Sequence, residues 1–188
     1  MTLRLALTTL AALILAGCSG WAAETRLIPA AERDVVRLSG IYQSSEEQAR
    51  FMPTSQRMVL VSDPQGEERG SKLAFDLLRE KQADPESTPD RTYLVEVPWA
   101  KDDGSLVFFY SLVRVVDGAH SSGAGAFDTY TLKCSDVAAT LSQQRDGELC
   151  IFDDYARLRR AALDALNWYD EARMEVKTTR FERQADAP

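Results

Sequence analysis

The sequence predicts an α+β fold dominated by antiparallel sheet, with an N-terminal helix and a C-terminal amphipathic helix. Two observations carry that expectation. Residues 91–116 form a β-branched and aromatic stretch interrupted by Lys101-Asp102-Asp103-Gly104, which has the polarity and the glycine of a hairpin turn. Tyr155, Leu158, Ala162, Leu166 and Tyr169 recur at intervals of three and four, the spacing of one helical face. With 188 residues, 45% of them apolar, the chain can bury the core of a single domain.

Taken in order, Pro29 suits a first helical turn, residues 30–38 place Ala31, Val35 and Leu38 at helical spacing, and Gly40 suits the stop. Residues 41–44 read as extended. Ser45-Glu46-Glu47-Gln48 has the form of a capping box and predicts a short helix ending at Pro53. Residues 57–62 are β-branched and apolar, and Asp63-Pro64-Gln65-Gly66 closes them as a turn. Residues 73–82 favour a helix by propensity and apolar spacing, although Phe75 and Leu77 alternate about Asp76 and permit a strand.

Tyr93, Val95 and Val97 then alternate along one strand, residues 105–116 supply its hairpin partner, and residues 127–134 return as a third. Residues 135–145 fit a short helix or a strand, and Asp146-Gly147 turns the chain into an extended 148–152. Asp153 or Asp154 caps the amphipathic helix. Met174, Val176 and Thr178 alternate as a last strand, so the globular domain is expected to span 29–182, with 183–188 as a frayed tail.

The first twenty residues have a different character. Arg4 precedes an apolar run over 5–16 that is short for a mature membrane span, and small residues then meet a cysteine. Leu15-Ala16-Gly17-Cys18 resembles the lipobox of bacterial lipoproteins. The resemblance implies a signal peptide over 1–17 and acyl chains on Cys18 as the new N-terminus; residues 19–28 have no sustained period, so 18–28 reads as a short lipidated tether. Ser19 after the cysteine is similar to the pattern sorted to the periplasmic face of the outer membrane. Acyl chains add roughly 0.8 kcal/mol of attachment per buried methylene, so several on one residue form a durable anchor.

Cys134 and Cys150 remain as a pair once Cys18 is acylated, and an exported compartment favours their oxidation to a disulfide. The formal charge of −7 argues against nucleic acid and against charge-driven binding to anionic lipid, which leaves the acyl chains on Cys18 as the membrane contact. Catalytic equipment is sparse. His120 stands beside Ser121 and Ser122 without a Gly-x-Ser-x-Gly elbow, and residues 118–125 lack the Lys-Ser/Thr of a phosphate loop. Asp102-Asp103 and Asp153-Asp154 read as a turn and a helix cap. No catalytic residue, metal ligand or cofactor is therefore expected.

Leu38-Ser39-Gly40-Ile41-Tyr42, residues 45–49, Glu80-Lys81-Gln82, Pro89-Asp90-Arg91 and residues 104–112 together resemble the CpcT/CpeT-type family over residues 30–115. Asp90 stands where that family favours an aromatic, and the likeness fails after Cys150. The resemblance implies a calycin-like antiparallel barrel with residues 73–82 as a strand. It would turn Glu80, Arg91 and Tyr110 toward a concavity walled by Phe75, Tyr93 and Phe108. The family attaches bilins to light-harvesting proteins; here the transferable part is the binding of a small apolar ligand. The plain alternative for the three residues is a surface ion pair and a core tyrosine. The leading functional expectation is an envelope-anchored, non-enzymatic binding module for a small apolar ligand or lipid. The alternatives are an accessory that docks an envelope protein and a hydrolase using the His120 loop.

Overall fold

The computed structural model describes residues 19–36, 38–52, 55–60, 71–82, 89–101, 103–116, 124–142, 144–146, 148–171 and 176–184. The strands are β1 (Ser19–Ala23), β2 (Gly40–Gln43), β3 (Gln48–Met52), β4 (Arg57–Leu60), β5 (Ser71–Lys72), β6 (Ala74–Lys81), β7 (Asp90–Ala100), β8 (Leu106–Val116), β9 (Ala126–Tyr130), β10 (Gln144–Asp146), β11 (Glu148–Ile151) and β12 (Thr178–Arg183). One helix, α1 (Tyr155–Asp170), lies between β11 and β12. The architecture is thus α+β and sheet-dominated.

The β7–β8 hairpin is the spine of this sheet. Its register runs from Arg91 opposite Val115 to Ala100 opposite Leu106, and Gly104 (φ +80°) sits in its tight turn. The outer edge of β8 is shared between two strands: β9 pairs with residues 112–116 and β1 with residues 108–110. From β9 the sheet continues through β12, β2, β3 and β4 to β5, and from β1 through β11 to β10. Pairings are antiparallel among the described residues, except that β1 and β11 run parallel. Among the described residues the sheet ends at β5, β6 and β10 without closing, so the implied barrel is corrected to an open mixed sheet.

Alternation along the spine separates two cores. Leu94, Phe108, Tyr110 and Leu112 face α1, whose Leu158, Ala161, Ala162, Ala165 and Leu166 are buried against them together with Trp21 and Phe152. Three alanines on the buried helix face allow a close approach to the sheet. Tyr93, Val95, Val113 and Val115 face the other way, into a cluster with Tyr42, Phe51, Phe75, Phe127 and Phe181. The rings there pack directly: Phe127 stacks on Phe181 at 4.7 Å between centroids, and Phe75 meets Phe51 and Tyr93 edge-on at 6.0 and 5.9 Å.

Three helical expectations are corrected. Residues 30–38 form only a single 3-10 turn at Ala30–Glu32, because nine residues are too few to hold a helix without a packed face. Val36 and Leu38 are buried at a spacing of two while Val35 is 81% exposed. The Asp34 N–H donates to Phe75 O and its carboxylate accepts from Leu77 N–H, so this segment lies along β6. At residues 45–48 the capping chemistry is present one residue earlier. Ser44 Oγ accepts from the N–H groups of Glu46 and Glu47, but the motif closes the β2–β3 hairpin. Residues 73–82 are strand β6, because pairing with β7 and burial of Phe75 outweigh a modest helical propensity. The strand option, which the CpcT/CpeT-type resemblance implied, is the observed one.

The last strand runs to Arg183 instead of ending at 182. Arg183 and Gln184 donate backbone hydrogen bonds to Gly125 and Ile41. The turn at 63–66, the His120 loop and Met174 lie outside the described residues.

Candidate functional site

Strand β1 was expected to be tether, since residues 19–28 show no sustained hydrophobic period. It is instead an interior strand. Ser19 is level with Glu148, Trp21 with Cys150 on one side and Tyr110 on the other. Trp21, Ala22 and Ala23 are fully buried, the Trp21 indole donates to Lys133 O at 3.0 Å, and Phe152 N–H donates to Ala22 O. Cys134 and Cys150 stand at disulfide distance beside it, with a Cα–Cα separation of 5.1 Å. Cys18, the residue immediately before this strand, lies outside the described residues.

Beyond β1 the chain is fastened by Glu96, which projects from β7 into the helix-side core and is fully buried. Its Oε2 accepts from the backbone N–H of Leu27 (2.9 Å) and Ile28 (3.2 Å) and from the Tyr110 hydroxyl (3.2 Å). Oε1 lies 3.1 Å from Arg26 Nε, an ion-pair contact that is not aligned as a hydrogen bond. The same guanidinium lies over the Phe108 ring. Burial, with the Glu96 carboxylate beside it, pushes the Tyr110 phenol far above its usual range and keeps it a neutral donor. A carboxylate so committed is a structural acceptor.

Three further buried acids serve as joints between elements. Asp76 on β6 accepts from Tyr155 Oη (2.8 Å) and Arg159 Nε (3.1 Å) of α1, and Asp136 accepts from Tyr169 Oη at the helix's other end. Asp128 on β9 receives Arg114 and Arg180 from its two neighbouring strands. Burial raises Asp76 above its ordinary value of 3.8, against the lowering pull of Tyr155 and Arg159. The folded chain thus holds that proton at a higher pH than the unfolded chain does. The resulting stabilisation is complete below 3.8 and is lost as the pH rises through the folded value. Asp76→Asn is expected to remove this dependence, flattening the mildly acidic part of the stability–pH profile in urea melts; an unchanged slope would assign it to other groups.

The residues expected to line one concavity are separated. Glu80 and Arg91 pair across β6 and β7 at 2.7 Å in a half-exposed ion pair, worth about 0–1 kcal/mol. Tyr110 belongs to the helix-side core, the opposite side of the sheet from Phe75 and Tyr93, while Phe108 shares Tyr110's side. The plain alternative matches their placement. Among the described residues no group of His, Cys, Asp and Glu has metal-binding geometry, and no helix is long and apolar enough to cross a membrane.

Two features were missed from sequence. Glu96 had a signal, an acid flanked by valines in an alternating strand. The other is the outer end of the β7–β8 hairpin, where Trp99 is 40% and Leu106 49% exposed. It reaches past Ala74–Glu96, the last β6–β7 pair, and past Ala23–Phe108, the last β1–β8 pair. Comparison with known proteins adds no relative: no family model, curated protein or solved structure matches the chain.

Proposed function

We propose that this chain is a non-enzymatic envelope lipoprotein, anchored through acyl chains on Cys18, that docks a protein partner through the outer end of its β7–β8 hairpin. The hairpin carries the reading. Trp99 is level with Val107 and Leu106 with Ala100, so the two exposed side chains leave opposite faces of one ribbon. A ribbon apolar on both faces suits an apolar groove better than a flat surface, and Trp is the side chain most often dominant in such contacts. A small-ligand role would need an enclosed void, whereas the rings expected to wall it lie in two packed clusters on opposite sides of the sheet.

Two measurements test this. Cys18→Ser is expected to abolish fatty-acid labelling and leave the precursor unprocessed; unchanged labelling would remove the anchor. Native mass spectrometry of the protein extracted from its own membrane is expected to show a protein complex. In the double variant Trp99→Ser, Leu106→Ser the bound fraction should fall at least about tenfold with the melting temperature unchanged. A retained small molecule in place of a protein would favour the ligand-binding alternative.

A further inference from the structure

We infer that Glu96 Oε1 and the Phe108 ring form a binding site for a guanidinium group, which Arg26 fills in the free protein and an arginine of the docked partner takes in the complex. The chemistry of the site stands on its own geometry; naming the partner as the source rests on the hairpin reading and deepens it. Glu96 is fully buried, and its two oxygens are treated unequally. Oε2 is committed to the N–H groups of Leu27 and Ile28 and to the Tyr110 hydroxyl. Oε1 is buried as well and receives no hydrogen bond. Buried polar atoms are nearly always paired, and an ionised oxygen left without a donor favours a charged one most strongly.

Arg26 supplies charge to this oxygen without completing the contact. Its Nε lies 3.1 Å from Oε1 but is not aligned to donate, and its guanidinium carbon sits 5.4 Å from the Phe108 centroid. A carboxylate beside an aromatic face selects a flat, delocalised cation over a compact ammonium. Arg26 meets Oε1 through Nε because its approach is set by the next two residues, whose backbone N–H groups are held by the same carboxylate. A guanidinium on an unconstrained chain enters end-on and presents its terminal N–H groups instead. The Arg26 side chain is 33% exposed, so the site opens at the surface. Rotation of that one side chain vacates it, and Oε2 keeps residues 27 and 28 in place.

The site adjoins the hairpin end. Leu106 and Phe108 are two residues apart on β8 and share its helix-facing side, about 7 Å from one another. A partner that covers Leu106, which is 49% exposed, therefore passes over Arg26. Phe108 is flanked by Ala23 on β1 and Pro98 on β7, so the ring and the carboxylate are preformed. Arginine is among the side chains that dominate protein contacts, and the net charge of −7 favours a basic partner.

Chemical rescue tests the site. Arg26→Ala vacates it, and ethylguanidinium at about 10 mM is expected to raise the melting temperature of that variant by about 3 °C. The native protein, with Arg26 in place, should not respond, and neither protein should respond to the neutral N-ethylurea. Rescue should vanish when Arg26→Ala is combined with Glu96→Gln or with Phe108→Leu, and two combinations are used so that one misfolded variant leaves the other to decide. Nuclear Overhauser contacts from the ethyl protons to the Phe108 ring would place the ligand. Absence of rescue, or rescue that persists in either folded double variant, would overturn the site. In native mass spectrometry of the acylated protein from its own membrane, Arg26→Ala removes the competing side chain and should raise the partner-bound fraction about threefold. An unchanged or lower fraction would overturn the exchange of arginines. Rescue without any protein complex in the native sample would overturn the hairpin reading and the partner as source, and would leave the guanidinium site standing.

Discussion

Glu96→Ala is expected to destabilise the protein by about 2–5 kcal/mol, the cost of buried donors left without their acceptor. The cause is the set of groups left behind. Leu27 N–H, Ile28 N–H and the Tyr110 hydroxyl all donate to this carboxylate, and Arg26 approaches its second oxygen. Leu27 N–H keeps the Tyr110 hydroxyl as a second acceptor at 3.2 Å, but Ile28 N–H and the Tyr110 hydroxyl lose theirs, at about 1–3 kcal/mol each. Glu96→Gln keeps one acceptor oxygen and should lose distinctly less. Tyr110→Phe removes a single hydroxyl from the cluster and should cost on the order of 1 kcal/mol. Urea melts of the three variants would establish the order Ala, Gln, Phe. A loss under 1 kcal/mol in Glu96→Ala would mean that residues 26–28 are held by apolar packing of Ile28.

The parts of the fold that were legible in the sequence are those in which local pattern and tertiary demand agree. The β7–β8 hairpin combines alternation, β-branched residues and a Gly turn, and its register pairs residues 91–100 with 106–115. Helix α1 was legible because its stripe is four turns long and Asp154 caps it, accepting from Arg157 N–H at 2.9 Å. Its terminal tyrosines were assigned to the same stripe, and they lie at its edges with hydroxyls on Asp76 and Asp136. A helical pattern reports direction but not what a polar tip will meet.

Short segments were misread because their conformation is decided by distant neighbours. Residues 19–23 have two alanines and a glycine, and nothing local shows that β8 and β11 leave a gap of one strand's width between them. Residues 45–48 offered correct turn chemistry, and whether Ser44 starts a helix or closes a hairpin depends on β3 finding β2 and β4. Residues 73–82 set a favoured helical propensity against a weaker alternation. The deciding fact was a complementary strand, β7, with Asp90 opposite Lys81 and Arg91 opposite Glu80. Glu80, Arg91 and Tyr110 are not brought together for a related reason. Parity along a single strand is readable, but whether Tyr110 and Tyr93 share a side depends on cross-strand register, which places Tyr110 opposite Glu96 and Tyr93 opposite Val113.

Replacing Cys134 and Cys150 together by alanine is expected to lower stability by about 3 kcal/mol, because the bond closes a loop of about 15 residues whose freedom would otherwise be regained on unfolding. For a chain of this size that corresponds to a fall of roughly 6–12 °C in melting temperature. The position of the bridge sharpens the expectation. Cys134 opens a 3-10 turn whose Asp136 receives Tyr169 of α1, while Cys150 is level with Trp21 on β11. The bridge thus ties the turn beneath the helix to the branch of the sheet that contains β1. Loss of it should loosen that branch before the β7–β8 spine, so hydrogen exchange in the variant should rise first at Trp21–Ala23 and Glu148–Ile151. Calorimetry of the native protein with and without reductant, beside the double variant, separates the bond from the side-chain change. Equal melting temperatures in all three would show that the two sulfurs contribute packing alone, and a uniform rise in exchange across the sheet would show that the branch has no independent stability.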